Sequence, residues 1–245
     1  MEKPEYEIMY EFENGYWWYR GLQELVEREI IGHAKGAEGP LVLLDAGCGT
    51  GRMMEIARHY GEVEGFDGSE EALKYCALRG LRSVFRQDIN DWNPLPGKFD
   101  IIVCLDVLCH DSIHDVGDII RKFHSTLKPG GILILNLPAF ELLRRNHDRA
   151  VHTRKRFRRG PAASLLKTRG FRIRRSTYRL PFLFGIMLVK KALDYLSRPE
   201  IRSDLSKLPS WLNRVLLALH RTENTLIFSG VSLPFGSSFF FVGQK

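Results

Sequence analysis

The sequence predicts an α/β fold built on a doubly wound, mostly parallel sheet, and three observations carry that prediction. Strand-like and helix-like patterns alternate along the chain, as such a sheet requires. The strand candidates are short apolar runs, the mark of parallel strands covered on both faces. Each ends on a polar residue or a turn, which is where open α/β sheets bind ligands.

Residues 41–44, Leu-Val-Leu-Leu, form the first strand candidate and end on Asp45. Gly47, Gly49 and Gly51 follow at alternate positions, then a helix-compatible stretch over 52–60. Glycines gather between a strand and a helix where the backbone must approach a ligand that a Cβ would block. Residues 63–66 are a second strand ending on Asp67, with Gly68, Ser69 and a helix over 70–78 behind it. Residues 81–85 are a third, followed by Asp88 and Ile89. Residues 99–105 are a fourth, apolar apart from Asp100, running through Leu105 into Asp106. A helix over 116–127 stops at the breaker cluster Lys128-Pro129-Gly130-Gly131, and residues 132–137 make the fifth strand. Residues 171–178 read as the sixth and 237–242 as the last.

A chain of 245 residues suits one large domain with an elaboration. Apolar content of 44% and charged content of 27% are those of a globular protein and exclude a disordered or fibrous chain. The polar N-terminus reads as no signal peptide. The longest apolar runs, such as 182–189, fall well short of the roughly 20 residues that span a bilayer. Cys48, Cys76, Cys104 and Cys109 show no C-x-x-C spacing and read as small hydrophobes in a reducing cytoplasm. The net charge of +7 is uneven, since residues 141–175 hold 13 Arg and Lys against Glu141 and Asp148. That segment suits an anionic partner, whether phosphate, nucleic acid or an acidic membrane, or else is a solvated face.

An acid two residues before G-x-G-x-G, here Asp45 before Gly47, Gly49 and Gly51, resembles the first motif of class I S-adenosylmethionine-dependent methyltransferases. A dinucleotide fingerprint would need its third glycine at position 52, which is Arg52. The resemblance implies a Rossmann-like seven-stranded sheet of order 3-2-1-4-5-7-6, its last strand antiparallel, with helices on both faces. It implies that Asp67 accepts hydrogen bonds from the cofactor's ribose hydroxyls, and that Asp88 meets the adenine amino group. Cys48, Gly68, Ser69, Ile89, Leu105 and Asp106 complete the expected cofactor-binding set. The Leu-Lys-Pro-Gly-Gly turn at 127–131 also matches the family.

Tyr16-Trp17-Trp18-Tyr19-Arg20 resembles the aromatic-Arg segment of a bacterial small-molecule subfamily, and the Trp-Trp helix of quinone-pathway O-methyltransferases. Residues 1–40 are therefore expected to form an aromatic cap helix, with Arg20 pairing with the cofactor's carboxylate, or simply to pack on the sheet. The expected single domain, 1–245, continues with a cofactor-binding core over 41–178, a helical insert or lid over 179–236 and the last strand over 237–245. Within the insert, residues 182–196 and the set Trp211, Leu212, Val215, Leu216 and Leu219 read as two amphipathic helices. They suit a lid, a dimer contact, ordinary core packing, or a surface over 180–220 that dips into lipid headgroups.

Methyl transfer from a sulfonium is an in-line displacement that gains from alignment and desolvation, and a hydroxyl acceptor also gains from a base. The stretch after Pro138-Ala139-Phe140 holds His147, Asp148, His152, Arg154, Arg156 and Phe157, a loose match to the same subfamily. His147 and His152 are the first candidate bases, with Asp148 as orienting partner. His110 and His114 are a second pair, whose spacing of four would share a helix face; no third ligand turns them into a metal site. The expected function is methyl transfer from S-adenosylmethionine, giving S-adenosylhomocysteine, to oxygen of a small-molecule or lipid-linked acceptor. RNA is a second acceptor class, set back by the lack of an Asn-Pro-Pro-Tyr-type motif or an appended RNA-binding module. A non-catalytic, cofactor-binding regulatory protein is the third reading, and the oligomeric state stays open.

Overall fold

The computed structural model describes residues 3–93, 95–197 and 207–245, without the side chains of 3, 146, 147 and 193–197. Two helices, α1 (Lys3–Phe12) and α2 (Trp17–Ala34), precede the sheet. The chain then alternates through β1 (Leu41–Ala46), α3 (Arg52–Ala57), β2 (Gly61–Asp67), α4 (Glu70–Leu78), β3 (Val84–Arg86), β4 (Phe99–Leu105), α5 (Val116–Thr126) and β5 (Leu127–Pro138). A 3-10 turn (Glu141–Leu143), α6 (Asn146–Ala150), α7 (Arg159–Thr168) and β6 (Arg172–Arg179) follow. The insert is α8 (Pro181–Ser197) and α9 (Ser210–Phe228), and β7 (Ser238–Gln244) closes the chain.

The sheet order is β3-β2-β1-β4-β5-β7-β6. All pairs are parallel except those of β7, which runs antiparallel to both β5 and β6. The continuous apolar runs are explained by burial on both faces. Leu41, Leu43, Ile101, Val103, Ile132, Ile134, Phe240 and Val242 face Leu22, Leu25, Val26 and Ile30 of α2 and Ile227 of α9. Their neighbours Leu44, Ile102, Cys104, Leu133, Leu135, Phe239 and Phe241 face Ile119, Ile120 and Phe123 of α5 and Leu166 of α7.

Two local expectations change. Lys128-Pro129-Gly130-Gly131 does not end at a turn before β5 but lies inside it, because the register steps from Phe99 opposite Leu127 to Ile101 opposite Ile132. A bulge of this kind leaves Pro129 without a ladder partner, which suits a residue lacking an N–H. Asp100, the lone polar residue of β4, accepts from Val42 N at 2.8 Å and Lys128 Nζ at 2.7 Å. The expected single cap helix is two helices, broken at the turn Glu13-Asn14-Gly15 before Tyr16.

Candidate active site

β1 delivers the chain into a turn that only glycine can make. Gly47, Gly49 and Gly51 have φ of 78°, 53° and 84°, the left-handed region that a side chain disfavours. A Cβ on Gly47 would stand 2.4 Å from Val107 Cγ2, and one on Gly51 would stand 2.5 Å from Leu81 Cδ1. The turn is pinned to β2, as Gly47 N and Cys48 N both donate to Phe66 O. Asp67 then accepts from Gly49 N at 3.0 Å and Ser69 N at 2.9 Å.

Among the described residues, Asp45 Oδ2 is buried without a hydrogen-bond partner. Burial first, then the carboxylates of Asp67 and Glu13, push Asp45 up to about 7. Burial also raises Asp67, which the Ser69 and Gly49 amides hold down. An orphaned carboxylate oxygen beside a glycine cradle is a site that lacks its donor. The chemistry of the set fits S-adenosylmethionine: Asp45 can meet an ammonium, Asp67 has lone pairs for a ribose diol, and exposed Asp88 stands past the end of β3. Ile89 is buried beneath it.

The cover over this turn comes from α1 and the turn that follows it. Tyr6 is buried against Ser69 and Asp67, and burial pushes its phenol up to about 12. Met9 Sδ lies 3.3 Å from where a Cβ of Gly49 would be. Buried Glu13 bonds Thr50 Oγ1 and pairs with Arg79 at 2.7 Å. Arg79 also donates to Thr50 O at 3.0 Å and stacks on Tyr10.

At the far end of β4, Leu105 leads into Asp106, which turns with φ 57°. Asn136 Nδ2, on β5, donates to both oxygens of Asp106 at 3.0 and 2.9 Å. Arg179, 1% exposed at the end of β6, donates to Asn136 Oδ1 at 2.8 Å and meets His220 Nε2 at 2.6 Å. Burial and then Arg179 force His220 down to about 3, so it is neutral. Next to this chain, Phe140 stacks on Tyr178 and meets Phe184 edge-on, while Trp17 packs on Phe182 and His220.

The sequence candidates separate. The stretch after β5 docks on the one after β4, with Asp111 N donating to His152 O and Arg154 N to Cys109 O. His110, Asp111 and His152 meet there, with His152 Nδ1 3.3 Å from Asp111 Oδ2. Asp148 is engaged elsewhere: it is 2% exposed and bonds Arg156 through Nε at 2.8 Å and Nη2 at 3.1 Å. His147 belongs to α6, and its side chain lies outside the described residues. His110 and His114 do not share a helix, and no group of three His, Cys, Asp or Glu among the described residues could hold a metal. Arg20 pairs with Glu24 at 3.2 Å, beside Glu27 and Arg52.

Several basic residues of 141–175 are bonded within the fold. Arg144 holds Glu141, Arg154 holds Ile113 O, Arg169 holds Gly117 O and Arg175 holds Glu29. Sequence reasoning did not single out Tyr6, Glu13, Arg79, Asn136, Arg179 or His220. A signal existed for Asn136, a lone polar residue inside an apolar run, and for Arg179, at a strand's C-terminal end.

The sheet order, the antiparallel β7 and the acid-flanked glycine turn define the Rossmann-like fold of the S-adenosylmethionine-dependent methyltransferases. More particularly, the chain belongs to the methyltransferase-domain family, which matches residues 18–176. It is 31% identical over 134 residues to a ubiquinone biosynthesis O-methyltransferase of Pseudomonas paraeruginosa, an alignment covering 49% of this chain and 56% of that one. The chain thus spans about half the length of the curated relatives it matches. An S-adenosylmethionine-dependent methyltransferase from Mesorhizobium loti superposes with a TM-score of 0.60 at 16% identity, covering 95% of this chain and all of that one. The cyclase SpnF shares the fold at a TM-score of 0.54 and 18% identity, over 89% of this chain and 80% of that one. A fold held in common with a cyclase leaves the chemistry to the site.

Proposed function

We propose that this chain transfers a methyl group from S-adenosylmethionine to an oxygen of a small hydroxylated molecule. The observation that carries the reading is the unpartnered Asp45 Oδ2 beside Asp67 at a turn of three left-handed glycines. When bound, the cofactor supplies an electrophilic methyl on a sulfonium. Asp45 meets the ammonium, Asp67 the ribose diol and Asp88 the adenine edge. Tyr6 and Met9 close over the turn and exclude water, which strengthens each of these contacts.

Oxygen as acceptor atom is supported by the likeness to the Pseudomonas ubiquinone biosynthesis O-methyltransferase. An apolar or aromatic acceptor is supported by Trp17, Phe140, Tyr178, Phe182 and Phe184 beside the Asp106 end of the sheet. His152 with Asp111, and His110, suit passing a proton from the rim to water.

Calorimetry of S-adenosylmethionine against NAD, followed by transfer of labelled methyl to a panel of phenols and catechols, tests the reading. Binding of the sulfonium alone and label on an acceptor oxygen are expected. Tighter binding of the dinucleotide would overturn it.

A lipid-linked acceptor is a second reading. Ile186 and Val189 of α8, and Trp211, Val215 and Leu219 of α9, are exposed at 49–63%. No helix among the described residues is long and apolar enough to cross a membrane, so such an acceptor would be met at the surface.

A further inference from the structure

We propose that Asp106, expected from the sequence among the cofactor-binding residues, is instead the acceptor-side catalytic carboxylate and that Arg179 and His220, acting through Asn136, position it. The inference rests on the methyl-transfer reading and adds a base and its support to it.

Placement comes first. Asp106 precedes Val107, the residue against which Gly47 packs, so it stands between the cofactor turn and the stretch leaving β5. It is half-buried. Its φ of 57° is a conformation that a non-glycine residue keeps only where its surroundings impose it.

The polarity of the chain behind it is fixed by one residue. A guanidinium only donates, so Asn136 turns Oδ1 to Arg179 and Nδ2 to Asp106, with no amide ambiguity. For the same reason His220 Nε2 accepts from Arg179, which leaves its proton on Nδ1, 3.4 Å from Trp17 O. Every donor between Arg179 and the carboxylate points at Asp106.

His220 also shows why the insert matters to the chemistry. It comes from α9 and lies so close to α2 that a Cβ on Gly21 would be 1.8 Å from its Nδ1. Asn224 Nδ2 donates to Gly21 O at 2.8 Å one turn further, and Glu223 accepts from Leu180 N directly after Arg179. The insert therefore locks Arg179 in place from one side while β6 holds it from the other.

The charged and titratable groups facing Asp106 are Arg179 from β6, Arg156 from the stretch before α7, Tyr19 from α2, and Cys104 and Cys109 on its own strand and turn. Burial pushes Asp106 up to about 6, against the Asn136 hydrogen bond and the two arginines. A carboxylate of this kind is ionised at neutral pH and basic enough to accept a proton. In the step, the acceptor O–H proton passes to Asp106 and the oxygen lone pair forms the new O–C bond. The C–S bond of the sulfonium breaks with its pair returning to sulfur, and Asp106 later releases the proton to water.

The test uses the full chain with Asp106→Asn, Arg179→Met, His220→Leu and His220→Gln. Calorimetry with S-adenosylhomocysteine, thermal melts and the pH profile of catechol methylation are read together. Carboxyl 13C and imidazole 15N spectra of the S-adenosylhomocysteine complex add a readout independent of turnover. Asp106→Asn should keep affinity for S-adenosylhomocysteine within about threefold and lower kcat by about 10²–10⁴. Arg179→Met should move both the acid limb of kcat and the Asp106 titration up by about one pH unit. His220→Leu should lower kcat more than it changes KM, and His220→Gln, whose carbonyl can accept from Arg179, should recover part of the loss.

The proposal is overturned if Asp106→Asn keeps more than about a third of wild-type kcat, a loss too small for a base. It is equally overturned if that variant no longer binds S-adenosylhomocysteine, if the Asp106 titration ignores Arg179→Met, or if His220 titrates at its ordinary value. Wild-type protein that binds the cofactor but methylates no catechol removes the base role alone. Failure of the wild type to bind it at all would instead sink the methyl-transfer reading.

Discussion

At the residue scale, Asp45 carries a conflict between stability and binding. Its folded pKa of about 7 lies well above the ordinary value for an aspartate. The cofactor-free protein is thus favoured while Asp45 is protonated, fully so below about pH 4, and loses that contribution as pH rises through about 7. Asp45→Asn should therefore raise the melting temperature of the free protein at pH 7.5, by about 2–4 °C for each kcal/mol recovered. The same change should weaken S-adenosylmethionine binding by at least about tenfold, the loss of one charged hydrogen bond. Melts with and without cofactor read both effects, and a destabilised free protein would count against the assignment.

At the element scale, α1 acts on the cofactor turn, while the sheet's own core is completed by α2 and α9. A chain beginning at residue 15 should fold with a cooperative melt yet release cofactor about tenfold faster, because Tyr6, Met9 and Glu13 no longer close the turn. Stopped-flow displacement of the cofactor measures it. The outer face of α9 poses a separate question. Trp211, Val215, Leu219 and Leu226 are all exposed along it, whereas His220, Glu223, Asn224 and Ile227 are buried. Trp211→Glu with Leu219→Glu should change stability by no more than about 0.5 kcal/mol each, as surface substitutions do. Under the lipid-linked reading the pair should abolish sedimentation with phosphatidylglycerol vesicles, and a wild type that never sediments would remove that reading.

At the scale of the whole molecule, two sets of buried groups pull stability in opposite directions with pH. Asp45 and Asp106, raised to about 7 and about 6, favour the folded state at low pH and lose that effect as pH rises from about 4 to 7. His220, lowered to about 3, contributes stability that is present above about 6.5 and lost as pH falls toward 3. His220→Gln removes the second effect, so the pH of maximum melting temperature should move down. A maximum that stays in place would show that His220 is not held neutral.

Much of this architecture was readable in advance because it is written locally. A strand buried on both faces must be apolar throughout, and a backbone that runs at φ near 53–84° needs glycine at Gly47, Gly49 and Gly51. Asp45 and Asp67 were visible as acids at strand ends for the same reason. The Asp106 support was not, since Asn136, Arg179 and His220 are more than 40 positions apart from one another along the chain and meet only when β7 inserts between β5 and β6 and α9 folds back on α2. Asp148 looked like a histidine's partner from its neighbours in sequence, and only folding handed it to Arg156. Sequence by itself determined the sheet, the cofactor turn and the family, all set by short-range pattern. Tertiary structure alone decided which helix closes the turn, which charges are spent inside the fold and which side chains support Asp106, because burial and pairing are properties of distant residues brought together.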